Sequence, residues 1–189
     1  MTAARPRIPY TYDDYRTLPE DMSRRYELLH GELYMVPAPT TRHQRISRNL
    51  EFILHQFVAA GRLGEVFDSP IDLILGQGDA REVAQPDIVF IAHSQREIIK
   101  LHGIEGAPAL VVEILSPGTE ERDRGYKRTL YARHGVGEYW ILDPEARTVE
   151  VYSAAAQGFP EAVTYRTEDT LSCALFPGLV IPLAEIFAD

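Results

Sequence analysis

Glu113 sits at the centre of the apolar run Val111-Val112-Glu113-Ile114-Leu115. Such a run reads as a buried strand, and an ionised carboxylate inside it is costly unless it is protonated, paired or bound to a cation. Pro86-Asp87-Ile88-Val89-Phe90-Ile91 is a second apolar run, with an acid at its entrance. Downstream, Asp123, Lys127, Leu130, Tyr131 and His134 share one helical face, and Leu130 marks that face as the buried one. Two carboxylates and an ammonium meeting on a sheet suit metal-assisted phosphodiester cleavage. Asp87 and Glu113 would hold Mg²⁺ or Mn²⁺ together with waters, and Lys127 would position the attacking water or offset charge on the phosphoryl group. Each residue also has a plainer reading. Asp87 could be a solvated strand entrance, Glu113 a carboxylate paired with an arginine, and Lys127 the surface partner of Asp123.

Two further residues stand in second rank. His43 extends the apolar stripe of a helix by one turn below Ile46 and Leu50, so it should face inward, most simply as a satisfied core-edge histidine. Glu27 and Glu32 flank a hairpin and read as solvated, although Glu27 could bring a third carboxylate to the metal. Basic residues gather on two helices. Arg42, Arg45 and Arg48 lie on the first, and Arg122, Arg124, Lys127, Arg128 and Arg133 on the second. Arg42, Arg45, Arg122, Arg124 and Arg128 would then form a nucleic-acid-binding rim around the acidic centre.

These side chains need elements to carry them. Tyr26 to Val36 alternates around His30-Gly31, a pair suited to a tight hairpin turn. Residues 40–60 read as a helix with Ile46, Leu50, Ile53, Leu54 and Phe57 on one stripe and Gly61 as its stop. Extended segments follow between Val66 and Leu75, then a polar loop from Gly76 to Glu82, then strands at Pro86–Ala92 and Ala109–Leu115. Thr119 is the expected N-cap of a second helix running to His134 and ending at Gly135. Tyr139–Leu142 and Val149–Tyr152 are strands around Asp143-Pro144, and the tail ends in an apolar segment reaching Phe187. Helix, strands, helix and more strands in that order predict an α/β fold, a mixed β-sheet flanked by helices. Residues 1–24 read as an N-terminal arm that could hold a short helix, and residues 25–189 as one domain.

Bulk properties narrow the function. The net charge of −9 disfavours a general electrostatic clamp on duplex DNA, so any nucleic-acid contact must use a local basic patch. Cys173 is the only cysteine, which leaves no internal disulfide and fits a reducing, cytoplasmic compartment. There is no signal-peptide pattern and no apolar run of about 18 residues, so no membrane partner is expected.

Taken together, the motifs resemble the PD-(D/E)xK nuclease superfamily, and within it the Uma-type branch of restriction endonucleases. The resemblance is carried by Tyr26–Leu33, Pro37-Ala38-Pro39 with His43-Gln44, Pro86-Asp87, Ala107–Pro117, Asp123, Lys127, Gly135–Trp140 and Asp143-Pro144. It implies a restriction-endonuclease-like core with a metal at Asp87 and Glu113, and a backbone carbonyl near Ile114 or Leu115 as a further ligand. Leu115 occupies the position where the superfamily's lysine normally stands, two residues after the acid, and Lys127 would take that role from the following helix. The function expected is therefore a metal-dependent DNA endonuclease. The alternatives are a catalytically inactive nuclease-fold module that binds nucleic acid or a protein partner, and a homodimer with no nucleic-acid role.

Overall fold

The computed structural model describes residues 8–19 and 25–188. The rest of the expected arm, including its boundary at residue 24, lies outside the described residues. A short helix α1 (Tyr12–Arg16) leads to the hairpin β1 (Arg25–Leu29) and β2 (Glu32–Val36), then to the long helix α2 (Thr41–Gly61). Strands β3 (Gly64–Asp68), β4 (Leu73–Leu75), β5 (Glu82–Ala84), β6 (Ile88–Ala92), β7 (Ile99–Lys100), β8 (Gly103–Glu105) and β9 (Leu110–Ile114) come next. A helical segment follows in three parts: α3 (Glu120–Arg122), a π-helical turn (Asp123–Lys127) and α4 (Arg128–His134). The chain closes with β10 (Glu138–Asp143), β11 (Thr148–Ser153), β12 (Val163–Arg166), β13 (Thr170–Leu171), β14 (Ile181–Pro182) and α5 (Leu183–Ile186).

The architecture is α/β as expected, with mixed sheets flanked by helices, but the strands form two large sheets rather than one. The central sheet runs β12-β11-β10-β9-β6-β3, and its β9–β10 pair is parallel. The second runs β2-β1-β5-β4-β8-β7. Alternation along β6 and β9 divides the core. Ile88, Phe90, Leu110, Val112 and Ile114 face α2 and the C-terminal segment, where they meet Ile46, Leu50, Leu54, Val58, Phe176 and Ile186. Val89, Ile91, Val111 and Leu115 face the other way, against Leu29, Leu73, Leu75, Leu130 and Tyr131. The central sheet is thus covered on both faces, which is why its strands read as continuous apolar runs. No helix among the described residues is long and apolar enough to cross a membrane.

Three local features depart from expectation or sharpen it. The β1–β2 turn places His30 and Gly31 at φ 51° and 72°, and a Cβ on Gly31 would stand 2.5 Å from the Cβ of Pro9. Helix α2 ends with Arg62, not Gly61, in the left-handed conformation. Thr119 does not cap the second helix: its hydroxyl turns back to Ser116, and the Ser116 carbonyl accepts from the amides of Thr119 and Glu120. Glu82 on β5 accepts from the His30 amide at 2.7 Å and from the side chains of Tyr126 and Arg133, so the second sheet is fastened to the helical segment.

Candidate active site

Strands β6 and β9 are antiparallel neighbours, with Ile88 opposite Val112 and Val89 opposite Val111. Continuing that register sets Asp87 opposite Glu113, so both acids project from one end of the central sheet toward the second sheet. Asp87 is held by the strand beside it, because its Oδ2 accepts from the Ile114 amide at 2.7 Å. The helical segment then delivers Lys127, whose Nζ lies 2.9 Å from Glu113 Oε1. Asp87, Glu113 and Lys127 line one cleft of about 440 Å³.

The second sheet completes the cluster. Glu27 is 1% exposed and its Oε1 lies 2.7 Å from Lys127 Nζ, so it is not the solvated hairpin acid its position suggested. Its other oxygen is 3.6 Å from Arg122 Nε, and Oε1 also accepts from the Gln85 amide. Asp123, one turn before Lys127, is buried and stands 3.2 Å from the same ammonium. The expected surface pair of Asp123 and Lys127 is therefore an interior one. The π-helical turn widens the spacing of this segment, and it ends with both residues inside. Tyr131 adds its hydroxyl to Glu113 Oε1 at 2.8 Å, and the Tyr139 hydroxyl holds the Asp123 carbonyl.

Electrostatics follow from this enclosure. Burial works against the charge of Lys127, yet Glu113, Glu27 and Asp123 hold its pKa well above that of a free lysine. Glu113 is pushed well above the usual carboxylate range by burial, and Asp123, Asp87 and Glu27 push it further against the pull of Lys127. Burial raises Asp123 as well. Tyr131 is raised by burial and by Glu113, so it remains a phenol that donates. His43 faces inward from the first turn of α2, its Nε2 3.2 Å from Asp87 Oδ2. Burial lowers the pKa of His43, but the Asp87 carboxylate outweighs that and leaves it raised.

The donor set suits a hard divalent cation. Four carboxyl groups, Glu27, Asp87, Glu113 and Asp123, gather here with Lys127 and Arg122 among them. Both contacts to Glu113 fall on Oε1 and both contacts to Asp87 fall on Oδ2. Both acids line the cleft. Among the described residues no three His, Cys, Asp or Glu side chains form a ready cage. An ion here would be held by Asp87, Glu113 and waters, the partial protein coordination that Mg²⁺ commonly keeps.

The expected basic rim is dispersed. Arg42 pairs with Glu145 at 2.8 Å, and Arg45 lies exposed on the same helix. Arg122 is committed to Glu27 and to the face of Tyr34. Arg124 is held by Glu120, Asp143 and Glu150, and Arg128 lies over Tyr152, so both turn toward the β10–β11 hairpin. None of these five lines the cleft, whereas Arg25 and Arg48 do. Sequence reasoning set Tyr131 on the Lys127 face without giving it a role, and it passed over Arg25, which shares a strand face with Glu27.

The family model Uma2, described as "Putative restriction endonuclease", matches residues 12–184. A protein of Synechocystis, described as uncharacterized, is 26% identical over 175 residues, 90% of each chain. A crystal structure of a nuclease from Anabaena variabilis, itself titled as putative, superposes with a TM-score of 0.77 at 22% identity, over 95% of this chain and 98% of that one. At that identity the likeness is one of fold.

Proposed function

The chain belongs to the Uma2 family, and from that premise we propose that it is a metal-dependent endonuclease that hydrolyses phosphodiester bonds in DNA. The observation that carries this reading is the convergence of Asp87, Glu113 and Lys127, from two strands and a helix, on one cleft. A bound Mg²⁺ or Mn²⁺ would supply an activated water and neutralise charge on the phosphoryl oxygens. Asp87 and Glu113 would hold that ion. The Lys127 ammonium, held charged by three carboxyl groups, would offset the negative charge that builds on the phosphoryl oxygens. Tyr131 and Glu27 keep the carboxylate and the ammonium in place. Helix α2 and the Pro37-Ala38-Pro39 segment form walls of the cleft.

Plasmid nicking with Mg²⁺ or Mn²⁺ tests the proposal, with Asp87→Asn and Glu113→Gln as the altered forms. Loss of one electrostatic group at such a site costs about 10²–10³ in rate, and both variants should fall by at least that much. Wild-type protein that nicks no faster than the variants in either metal refutes the enzymatic reading. A second reading, a nuclease-fold module that binds without cleaving, is favoured by one observation: Arg122, Arg124 and Arg128 are all spent on acids or aromatic rings of the chain itself. Calorimetry separates the two, since the binding module gives no Mg²⁺ or Mn²⁺ signal that disappears in Asp87→Asn.

A further inference from the structure

Arg25 opens β1 and shares its strand face with Glu27 and Leu29, two and four residues on. Glu27 reaches the buried ammonium, so Arg25 projects into the same cleft about 7 Å away along the strand. Its Nη1 donates to Ser69 Oγ at 2.6 Å, which fixes the guanidinium against the residue that follows β3. The guanidinium is half-buried and lines the cleft that His43 and Asp87 also line.

Two arginines line the cleft, and of these Arg48 is exposed and reaches Asn49, whereas Arg25 is half-buried and held by Ser69. Arg42, Arg122, Arg124 and Arg133 are in ion pairs, and Arg81 and Arg128 lie over tyrosine rings. Arg25 has no carboxylate partner among the described residues, although Asp68 and Glu51 line the same cleft. One of its five N–H donors is used by Ser69, and the planar fork that remains matches two oxygens of a phosphate.

We infer that Arg25, held by Ser69, grips a non-bridging phosphate oxygen of the nucleic-acid strand beside the scissile bond. The inference rests on the nuclease reading and extends it to a residue outside the acid–lysine cluster. It also answers the problem set by a chain of net charge −9. The strand is engaged through few phosphates, at a cation inside the cleft, rather than through a broad basic surface. Arg25 is a binding residue here, since it touches the substrate itself.

Fluorescence anisotropy of a labelled DNA oligonucleotide, titrated with wild-type, Arg25→Gln, Arg25→Lys and Arg42→Gln proteins in Ca²⁺, tests this. Each phosphate contact contributes about 0.9 to the slope of log affinity against log salt on duplex DNA and about 0.7 on a single strand. Arg25→Gln should lower the slope by that amount and weaken binding about tenfold or more, as expected for a hydrogen bond to a charged group. Arg25→Lys should keep the slope yet bind more weakly, because the fork is gone. Arg42→Gln, which loses only an exposed ion pair, should match wild type. A purely structural role would lower the melting temperature of Arg25→Gln and leave the salt slope unchanged, which overturns the inference. If wild type binds or nicks DNA and Arg25→Gln does so equally with the same slope, Arg25 alone is wrong. If wild type neither binds nor nicks DNA in any metal, the nuclease reading falls and this inference falls with it.

Discussion

Replacing Lys127 by methionine removes the single cation that three interior carboxylates share. Its Nζ lies 2.7 Å from Glu27, 2.9 Å from Glu113 and 3.2 Å from Asp123, and the lysine is 3% exposed. At an effective dielectric near 20, each contact is worth ~5–6 kcal/mol of gross attraction. Desolvation of the ions and repulsion among the carboxylates cancel most of that sum. The measured cost of breaking a buried pair, about 3–5 kcal/mol, is the better guide, and it is a large share of a domain's total stability. Urea denaturation of Lys127→Met at neutral pH should show a loss in this range. The loss should shrink toward pH 5, because the orphaned carboxylates acquire raised pKa values. A raised folded-state pKa favours the fold at low pH and is lost as pH rises through it. Adding Glu27→Gln to Lys127→Met should restore part of the loss, whereas Glu27→Gln alone should destabilise. A deficit below about 1 kcal/mol, or one that is the same at both pH values, refutes the view that this lysine neutralises a buried acidic cluster.

Three other outcomes follow from the same physics. Asp72 accepts from Tyr15 and Gln85 at 2.8–3.0 Å, yet burial raises its pKa above the ordinary value. Wild type should therefore lose stability relative to Asp72→Asn as pH rises from about 4 through the folded-state pKa, and a flat difference in urea midpoints refutes this. Burial, with the Glu138 carboxylate behind it, pushes the Cys173 thiol from 9.0 up to about 11. At mildly alkaline pH the native thiol should react with a disulfide reagent about 100-fold more slowly than the urea-unfolded chain, and equal rates would count against that environment. A Cβ on Gly137 would stand 2.7 Å from the Ala109 carbonyl oxygen, which is pinned by the Glu138 amide at 2.8 Å. Gly137→Ala should cost about 1–3 kcal/mol in chemical denaturation, and a change within error shows that the β9–β10 entrance can give way.

The parts of this site that were legible in the sequence are those set by a single element. The face shared by Val111, Glu113 and Leu115, and the face shared by Lys127, Leu130 and Tyr131, both follow from local periodicity, and the structure keeps them. His43 was placed inward by the same logic, but its contact with Asp87 depends on how α2 crosses the central sheet. Glu27 looked solvated because a hairpin acid usually is. Only the docking of the second sheet buries it, and no local pattern records that event. The short strands β5, β7 and β8 escaped because two or three residues carry too little alternation to distinguish them from a loop. The arginines misled for a related reason. Charge on a helix is visible in sequence, whereas the acids at Asp143 and Glu150 that claim Arg124 arrive from a hairpin folded later in the chain.

The three-sided bracing of Glu82 has a consequence for when the protein becomes competent. His30, Tyr126 and Arg133 reach it from the hairpin turn and the helical segment, so Glu82 clamps the second sheet to that segment. Until that clamp closes, the ammonium and the acids that surround it belong to separate pieces of chain. A half-assembled molecule therefore carries no complete acid–lysine cluster.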